Sequence, residues 1–135
     1  MRRFALIALL ALALPASAAP RLASRVNFGC VALRDAGDVL VMNEQHNTDT
    51  LAALVEAGRC TQIQTSGDFE PREIVVLERA ARGDGTAFLR VRVNFKKETV
   101  EMRGRPESVD LWFPEGDIAG TYPPVPTRSF EESTR

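Results

Sequence analysis

The strongest constraint on the fold is a pair of cysteines, Cys30 and Cys60, which are the only two in the 135-residue chain. An isolated pair in a small domain usually forms a disulfide if the compartment is oxidising. A redox-active pair typically has the C-x-x-C spacing, which is absent here. A zinc site would need two further ligands, and the chain has a single histidine, His46. The sequence therefore predicts a structural Cys30–Cys60 disulfide.

The first residues predict an oxidising compartment. Arg2 and Arg3 precede an uncharged apolar run over 4–14, and residues 16–18 read Ala-Ser-Ala. This is the layout of a secretory signal peptide with an A-x-A cleavage site. The run is roughly half as long as a membrane-spanning helix requires. We therefore expect cleavage of residues 1–18 after Ala18, no membrane span in the mature chain, and a periplasmic or secreted location.

Length and charge narrow the class of protein further. Loss of Arg2 and Arg3 from 17 basic residues, with 18 acidic residues unchanged, shifts the formal net charge from −1 to −3. A mildly acidic chain of mixed charge has no general attraction to nucleic acid. The remaining length fits one domain. We expect that domain over 19–119, helical over 30–58 and β over 59–119, with a flexible proline-containing tail over 120–135.

The helical part contains one clear helix and one ambiguous segment. Asn47 and Thr48 are N-cap residue types, the Leu/Ala-rich run 51–57 has its apolar residues on one face, and Gly58 is suited to a C-cap. Residues 33–42 fit either a helix or a strand. We favour a helix there because two helices joined by a short loop make a helical hairpin.

The β part is clearest where apolar and polar residues alternate over 87–96. This alternation predicts a strand with one buried face. Residues 66–68 and 81–86 have turn composition. Further strands are predicted at 60–64, 74–77, 99–103 and 109–113. Short antiparallel strands at this spacing predict a small barrel or a rolled sheet, and hence an α+β fold.

The β part also resembles a known class of domain. It contains Gly58-Arg59-Cys60-x-x-Ile63, a hairpin, the alternating strand Phe88 to Phe95, and Leu111-Trp112-Phe113 followed by Asp117-Ile118. In this order the segment over about 59–119 resembles bacterial envelope SH3-like barrel domains. The resemblance implies a small antiparallel SH3-like barrel over these residues. With the helical hairpin expected before it, the fold class is a short N-terminal helical hairpin followed by a small antiparallel SH3-like barrel or rolled sheet. Such domains are mostly binding modules, and no binding residue carries over from them.

The best candidate ligand site lies on the polar face of the alternating strand. Arg90, Arg92 and Lys96 share that face, which is set by the alternation of side chains along a strand. Guanidinium groups on a rigid strand suit an anionic ligand. The competing interpretation is a solvated face neutralised by cross-strand acids such as Glu78 and Glu101.

Other motifs favour structural interpretations. Glu44, His46 and Asp49 could form a metal site, but their spacing is not diagnostic and a solvated loop is favoured. The RGD tripeptide at 82–84 has the composition of a hairpin loop. The P-x-x-P-x-R pattern at 123–128 fits a stiff tail. The sequence contains no established catalytic or cofactor-binding motif, so we expect no catalytic residues, metal or cofactor.

These observations lead to three hypotheses about function. The first is an exported periplasmic, non-enzymatic binding or assembly module whose partner is a protein or an envelope component. The second is an inhibitor or immunity-type protein that blocks a secreted enzyme. The third is a small hydrolase, which would require His46 to face a cleft beside a hydroxyl or carboxylate. The sequence leaves the partner's identity and the oligomeric state open.

Overall fold

A computed structural model describes residues 18–67, 70–96, 100, 104 and 106–135. The fold is mixed α+β, as expected. Within these ranges the structure shows the helices α1 (Leu33–Glu44), α2 (Thr48–Glu56) and α3 (Phe130–Ser133). Its strands are β1 (Arg21–Leu22), β2 (Val26–Cys30), β3 (Cys60–Gln64), β4 (Pro71–Ala81), β5 (Ala87–Phe95), β6 (Ser108–Pro114), β7 (Ile118–Ala119) and β8 (Thr127–Ser129). A 3₁₀ turn, Glu115–Asp117, joins β6 to β7.

Some sequence predictions fall where the structure gives no description. The signal peptide lies outside the described residues except for Ala18, as does the strand predicted over 99–103 except for Val100. Of the helices in the described part of the chain, none is both long and apolar enough to cross a membrane.

Six strands form one open sheet in the order β3-β2-β6-β5-β4-β8. All neighbours are antiparallel except β4 and β8, and β1 pairs with β7 in a separate two-stranded ribbon. A barrel requires its first and last strands to pair. Here β3 and β8 are opposite edges of the sheet, so the expected closed barrel is wrong, and the sheet is open and mostly antiparallel.

Apolar residues pack on both faces of the sheet. In β5, Leu89, Val91 and Val93 are fully buried on one face, while Phe88 is fully buried on the other. The ribbon-side cluster comprises Leu22, Ile63, Ile74, Val76, Leu89, Val91, Val93, Phe95, Leu111, Phe113 and Ile118. The helix-side cluster comprises Cys30, Leu33, Ala36, Val39, Leu51, Leu54, Cys60, Ala80, Phe88, Trp112 and Phe130. The second cluster needs its helices, because they supply about half of its members.

The predicted disulfide is present and lies at the base of the helical segment. Cys30 ends β2, Cys60 begins β3, and the two are directly opposite each other in the antiparallel pair. The two cysteines are 30 residues apart in sequence, and both α1 and α2 lie in the segment between them. Both sulfurs belong to buried residues of the helix-side cluster. The cross-link therefore closes the helical excursion at the point where it begins and ends.

Polar contacts of Arg59 join the two ends of the helical segment beside the disulfide. The carboxylate of Asp35, in the first turn of α1, accepts hydrogen bonds from two nitrogens of Arg59, with Nε at 3.1 Å from Oδ2. Asp35 is buried, whereas the Arg59 side chain is half exposed. The backbone N–H of Val31 also donates to the carbonyl of Arg59 at 3.0 Å. We call the disulfide, this ion pair and this backbone bond the clasp.

The segment 33–42, for which helix and strand were both open, is helical. In α2, the Asn47 side chain accepts from the backbone N–H of Thr50 at 3.3 Å, as expected of an N-cap. Gly58 has a positive φ of 73°, a conformation that favours glycine after a helix. The residues before Cys30 form β2, which was not anticipated.

The predicted flexible tail over 120–135 is folded over its last part. Strand β8 pairs in parallel with β4, and the Arg79 N–H donates to the carbonyl of Pro126 at 2.9 Å. Phe130 is buried, with its ring centroid 5.2 Å from that of Phe88. Gly37 of α1 lies beneath, where a Cβ would be 3.0 Å from the Phe130 ring. Residues 127–135, with Phe130 as their one aromatic side chain, thus pack on the core.

Trp112 provides a direct test of the helix-side cluster. The residue is 4% exposed and lies opposite Cys30 in the sheet. We expect Trp112→Ala to lower the free energy of unfolding by about 3–5 kcal/mol, because it removes a large buried side chain, with a smaller loss for Trp112→Phe. Denaturant unfolding followed by circular dichroism measures both. Since this is the only tryptophan, a water-exposed fluorescence maximum in the native protein would contradict the placement.

Candidate functional site

The helix-side face of the sheet continues beyond the area that the helices cover. Along β5, Phe88 is fully buried, but the next two side chains on that face, Arg90 and Arg92, are 40% and 48% exposed. The strand register accounts for this change from buried to exposed. On β6, the residues opposite Phe88, Arg90 and Arg92 are Pro114, Trp112 and Asp110, so the face becomes polar along the strand. The polar end of the face is therefore open to solvent.

Arg92 is paired with a carboxylate directly across the sheet. Its Nε and Nη2 donate to the two oxygens of Asp110, at 2.8 and 3.1 Å. These hydrogen bonds hold the pKa of Asp110 below its usual range and raise the pKa of Arg92. Both side chains are substantially exposed, so the pair is worth little to stability. Its consequence is geometric, since it fixes the orientation of one guanidinium.

Arg90 shares its carboxylate with an arginine from the C-terminal segment. The Arg90 Nε is buried and lies 3.5 Å from Oε1 of Glu78, an ion pair that lacks hydrogen-bond geometry. The same Glu78 oxygen is 2.9 Å from Nη2 of Arg128. The Arg128 guanidinium also lies over the Trp112 ring, 5.3 Å from its centroid. We call Arg90, Arg92 and Arg128, with Glu78 and Asp110, the arginine face.

Lys96 is less closely associated with this group than the sequence predicted. It lies one residue past the end of β5 and is exposed, and its carbonyl accepts from the Val100 N–H at 3.2 Å. Among the residues that the structure describes, no carboxylate forms an ion pair with the Lys96 ammonium. The structure thus brings Arg90 and Arg92 onto one face with Arg128, and leaves Lys96 at the margin.

The structure shows one of the two cross-strand acids expected on this face. Glu78 is the acid expected opposite Arg90, while Glu101 lies outside the described residues. Asp110 and Arg128 were not predicted as members. The alternation of β5 showed which arginines share a face, but the strand register and the return of residues 127–129 to the sheet carry no local sequence signal.

The structure places His46 at the protein surface. It is an exposed residue between α1 and α2 with a positive φ of 54°. Glu44 and Asp49, its candidate partners, are exposed as well. Within the described ranges, no three His, Cys, Asp or Glu residues form a group that could hold a metal ion.

The RGD tripeptide is built into a hairpin loop. The Arg82 guanidinium packs over the Phe130 ring, 4.3 Å from its centroid, and the Gly83 N–H donates to Glu131 at 3.0 Å. The Asp84 carboxylate accepts from the Thr86 N–H at 2.9 Å, which lowers the pKa of Asp84. All three residues are thus engaged within the loop and its contact with α3.

The proline-rich segment over 123–128 is likewise attached to the protein. Its final arginine, Arg128, binds Glu78, and Pro126 accepts from the backbone of β4. A polyproline ligand presents these groups to its receptor. In this protein they bind the sheet instead.

Comparisons with protein-family models, curated proteins and solved structures found no match. The resemblance to envelope SH3-like domains over about 59–119 stays a prediction, apart from barrel closure, which the open sheet contradicts.

The Arg92–Asp110 pair makes a prediction about acid titration. The pKa of Asp110 should lie below about 3.9, and Arg92→Gln should raise it towards that value. The stabilising effect of the pair is complete above the unfolded pKa and is lost as the pH falls through the folded pKa. Carboxyl NMR titration measures the change.

Arg90→Gln is the matched control, because Arg90 acts on Asp110 only as a nearby charge without a hydrogen bond. It should shift the Asp110 pKa less than Arg92→Gln does. Equal shifts in the two variants, or none in either, would contradict the assignment.

Proposed function

We propose that this protein is an exported, non-enzymatic binding or assembly module that contacts an acidic protein partner through the arginine face. The observation that carries the proposal is the sharing of one carboxylate by two arginines. Glu78 forms ion pairs with both Arg90 and Arg128, and Asp110 forms one with Arg92. Among the residues that the structure describes, these three guanidinium groups therefore form ion pairs with two carboxylates.

The sharing of the Glu78 carboxylate by Arg90 and Arg128 favours an anionic partner. A further carboxylate could accept from Arg90 or Arg128 without displacing the bidentate Arg92–Asp110 pair. Arginine suits this role, because its planar donors match a carboxylate in two directions. The guanidinium of Arg128 is already held over Trp112. A donor that is already ordered loses less conformational entropy when it binds.

An exposed apolar residue adjoins the charged groups. Val75 lies opposite Arg92 on β4 and is 42% exposed. Mixed surfaces of arginine and apolar side chains are typical of the contact regions between proteins. A protein segment with both acidic and apolar side chains fits this surface better than a simple anion does.

The proposed location outside the cytoplasm has independent support. The chain begins with a secretory signal layout, and its two cysteines form a disulfide. Disulfides of this kind persist in oxidising compartments. The partner would therefore be another protein of the cell envelope or the secreted fraction.

The test is a charge reversal of the arginine face. We expect Arg90→Glu with Arg92→Glu to abolish capture of the acidic partner from periplasmic extract, because it replaces two cations with two anions. His46→Ala should leave capture intact. Circular dichroism and tryptophan fluorescence establish that each variant is folded, and Arg90→Gln with Arg92→Gln serves as a milder second variant.

The matched control is Arg34→Glu with Arg135→Glu, which changes the net charge equally at two exposed positions outside the face. It should retain the partner, which separates a local effect from a change in net charge. The proposal fails if the reversal of Arg90 and Arg92 retains the partner while His46→Ala loses it.

A further inference from the structure

The two edges of the six-stranded sheet are built differently. At one edge, β8 has three residues, includes Arg128 and follows Pro126. At the other, β3 has five residues, Cys60-Thr61-Gln62-Ile63-Gln64, with neither a charge nor a proline. Natural proteins protect exposed edges with short strands, charges and prolines. By this criterion β8 is protected and β3 is open to pairing.

The register shows which backbone groups of β3 face outwards. In the β2–β3 pair, Val31 donates to the carbonyl of Arg59 and Thr65 donates to the carbonyl of Arg25, each at 3.0 Å. Because inward-facing residues alternate in an antiparallel pair, those two contacts place residues 61 and 63 inward as well. The N–H and C=O groups of residues 60, 62 and 64 therefore point away from β2. Within the described residues, no strand pairs with that side.

A groove runs beside this edge. One cleft of about 400 Å³ follows β3 itself and is bounded by Val55 and Gly58. A second, of about 330 Å³, continues between β2 and α2 and is lined in part by Phe28, Leu51 and Ala52. Val55 and Gln62 line both clefts. The open edge thus lies next to a flank of α2 that is mainly apolar and includes the side chain of Glu56.

We propose that a second copy of this chain occupies the β3 edge, forming an antiparallel β3–β3 pair about a two-fold axis at Gln62. With Gln62 opposite its own copy, Cys60 lies opposite Gln64 of the other copy. All three are the outward-facing residues, so each opposed pair can exchange both backbone hydrogen bonds. The symmetric register therefore uses every free backbone group of the edge.

The chemistry of the edge favours a copy of itself. Opposed side chains in this register are uncharged, so self-pairing brings no like charges together along the strand. The Gln62 side chains meet at the axis, where two amides can donate to and accept from each other. The symmetry also places the α2 flank with Ala52 and Val55 next to the same flank of the second copy.

That second contact is needed for a stable dimer. Specific interfaces bury about 800 Å² on each partner, more than a five-residue strand pair supplies alone. The α2 flanks add apolar area to the pairing of the strands. This interface is separate from the arginine face and does not depend on the proposed function. An extended segment of another protein is the competing occupant of the edge.

The test is the oligomeric state of the purified exported protein, measured by sedimentation velocity from low to high micromolar concentration. We expect a monomer–dimer equilibrium. Gln62→Lys should weaken the dimer by about tenfold or more, because it places two like charges at the axis. Gln62 is exposed, and lysine is common on natural edge strands, so the variant should fold normally.

The matched control is Thr127→Lys, the same type of change at an exposed position of β8. It should leave the dimer unchanged. Amide exchange gives a second readout, since the Gln62 and Gln64 N–H groups should become protected as concentration rises. A monomer at every concentration, with rapid exchange at both amides, overturns the proposal. A dimer that Gln62→Lys does not weaken, or that Thr127→Lys weakens equally, overturns it too.

Discussion

The clasp is the constraint on which the rest of the helix layer depends. The Cys30–Cys60 disulfide joins two opposed strand residues, and the Asp35–Arg59 ion pair fixes the first turn of α1 beside it. Between the two cysteines the chain leaves the sheet, forms α1 and α2, and returns to the sheet. In the chain-entropy model, closing a loop of this length stabilises a fold by about 3.5 kcal/mol. For a small domain, that is a large share of a typical total of roughly 5–15 kcal/mol.

The extent of the helix layer determines which surfaces remain for binding. Helices α1, α2 and α3 cover the apolar end of one sheet face, including Phe88 and Trp112. They leave the arginines of β5 exposed at the polar end and the β3 edge open beside α2. One surface is charged and suits an acidic partner, while the other is an uncharged row of backbone donors and acceptors. The two proposals therefore draw on different chemistry and can succeed or fail separately.

The sequence predicted correctly those elements that residues close in the chain determine. The alternation in β5, the Asn47 cap of α2 and the disulfide each follow from residues close in sequence or from a unique pairing. Strand β2 was missed because five residues containing Asn27 and Gly29 give a weak pattern. The glycine is explained by the side chains of Phe113 and Leu111, which lie against it. Likewise, the order of the C-terminal segment depends on distant contacts of Phe130. The sequence predicted only part of the arginine face. The alternation along β5 shows that Arg90 and Arg92 share a face, but only the strand register shows that Asp110 and Arg128 join them.

Hydrogen exchange of the oxidised and reduced protein tests the clasp most directly. Reduction of the disulfide should accelerate exchange in α1 and α2 first, by up to a few hundredfold if the full 3.5 kcal/mol or so is lost locally. The amides of β4, β5 and β6 should keep most of their protection, because their ladders do not pass through the disulfide. Unchanged protection of both helices after verified reduction, or an equal loss across the helices and the central strands, would contradict this account.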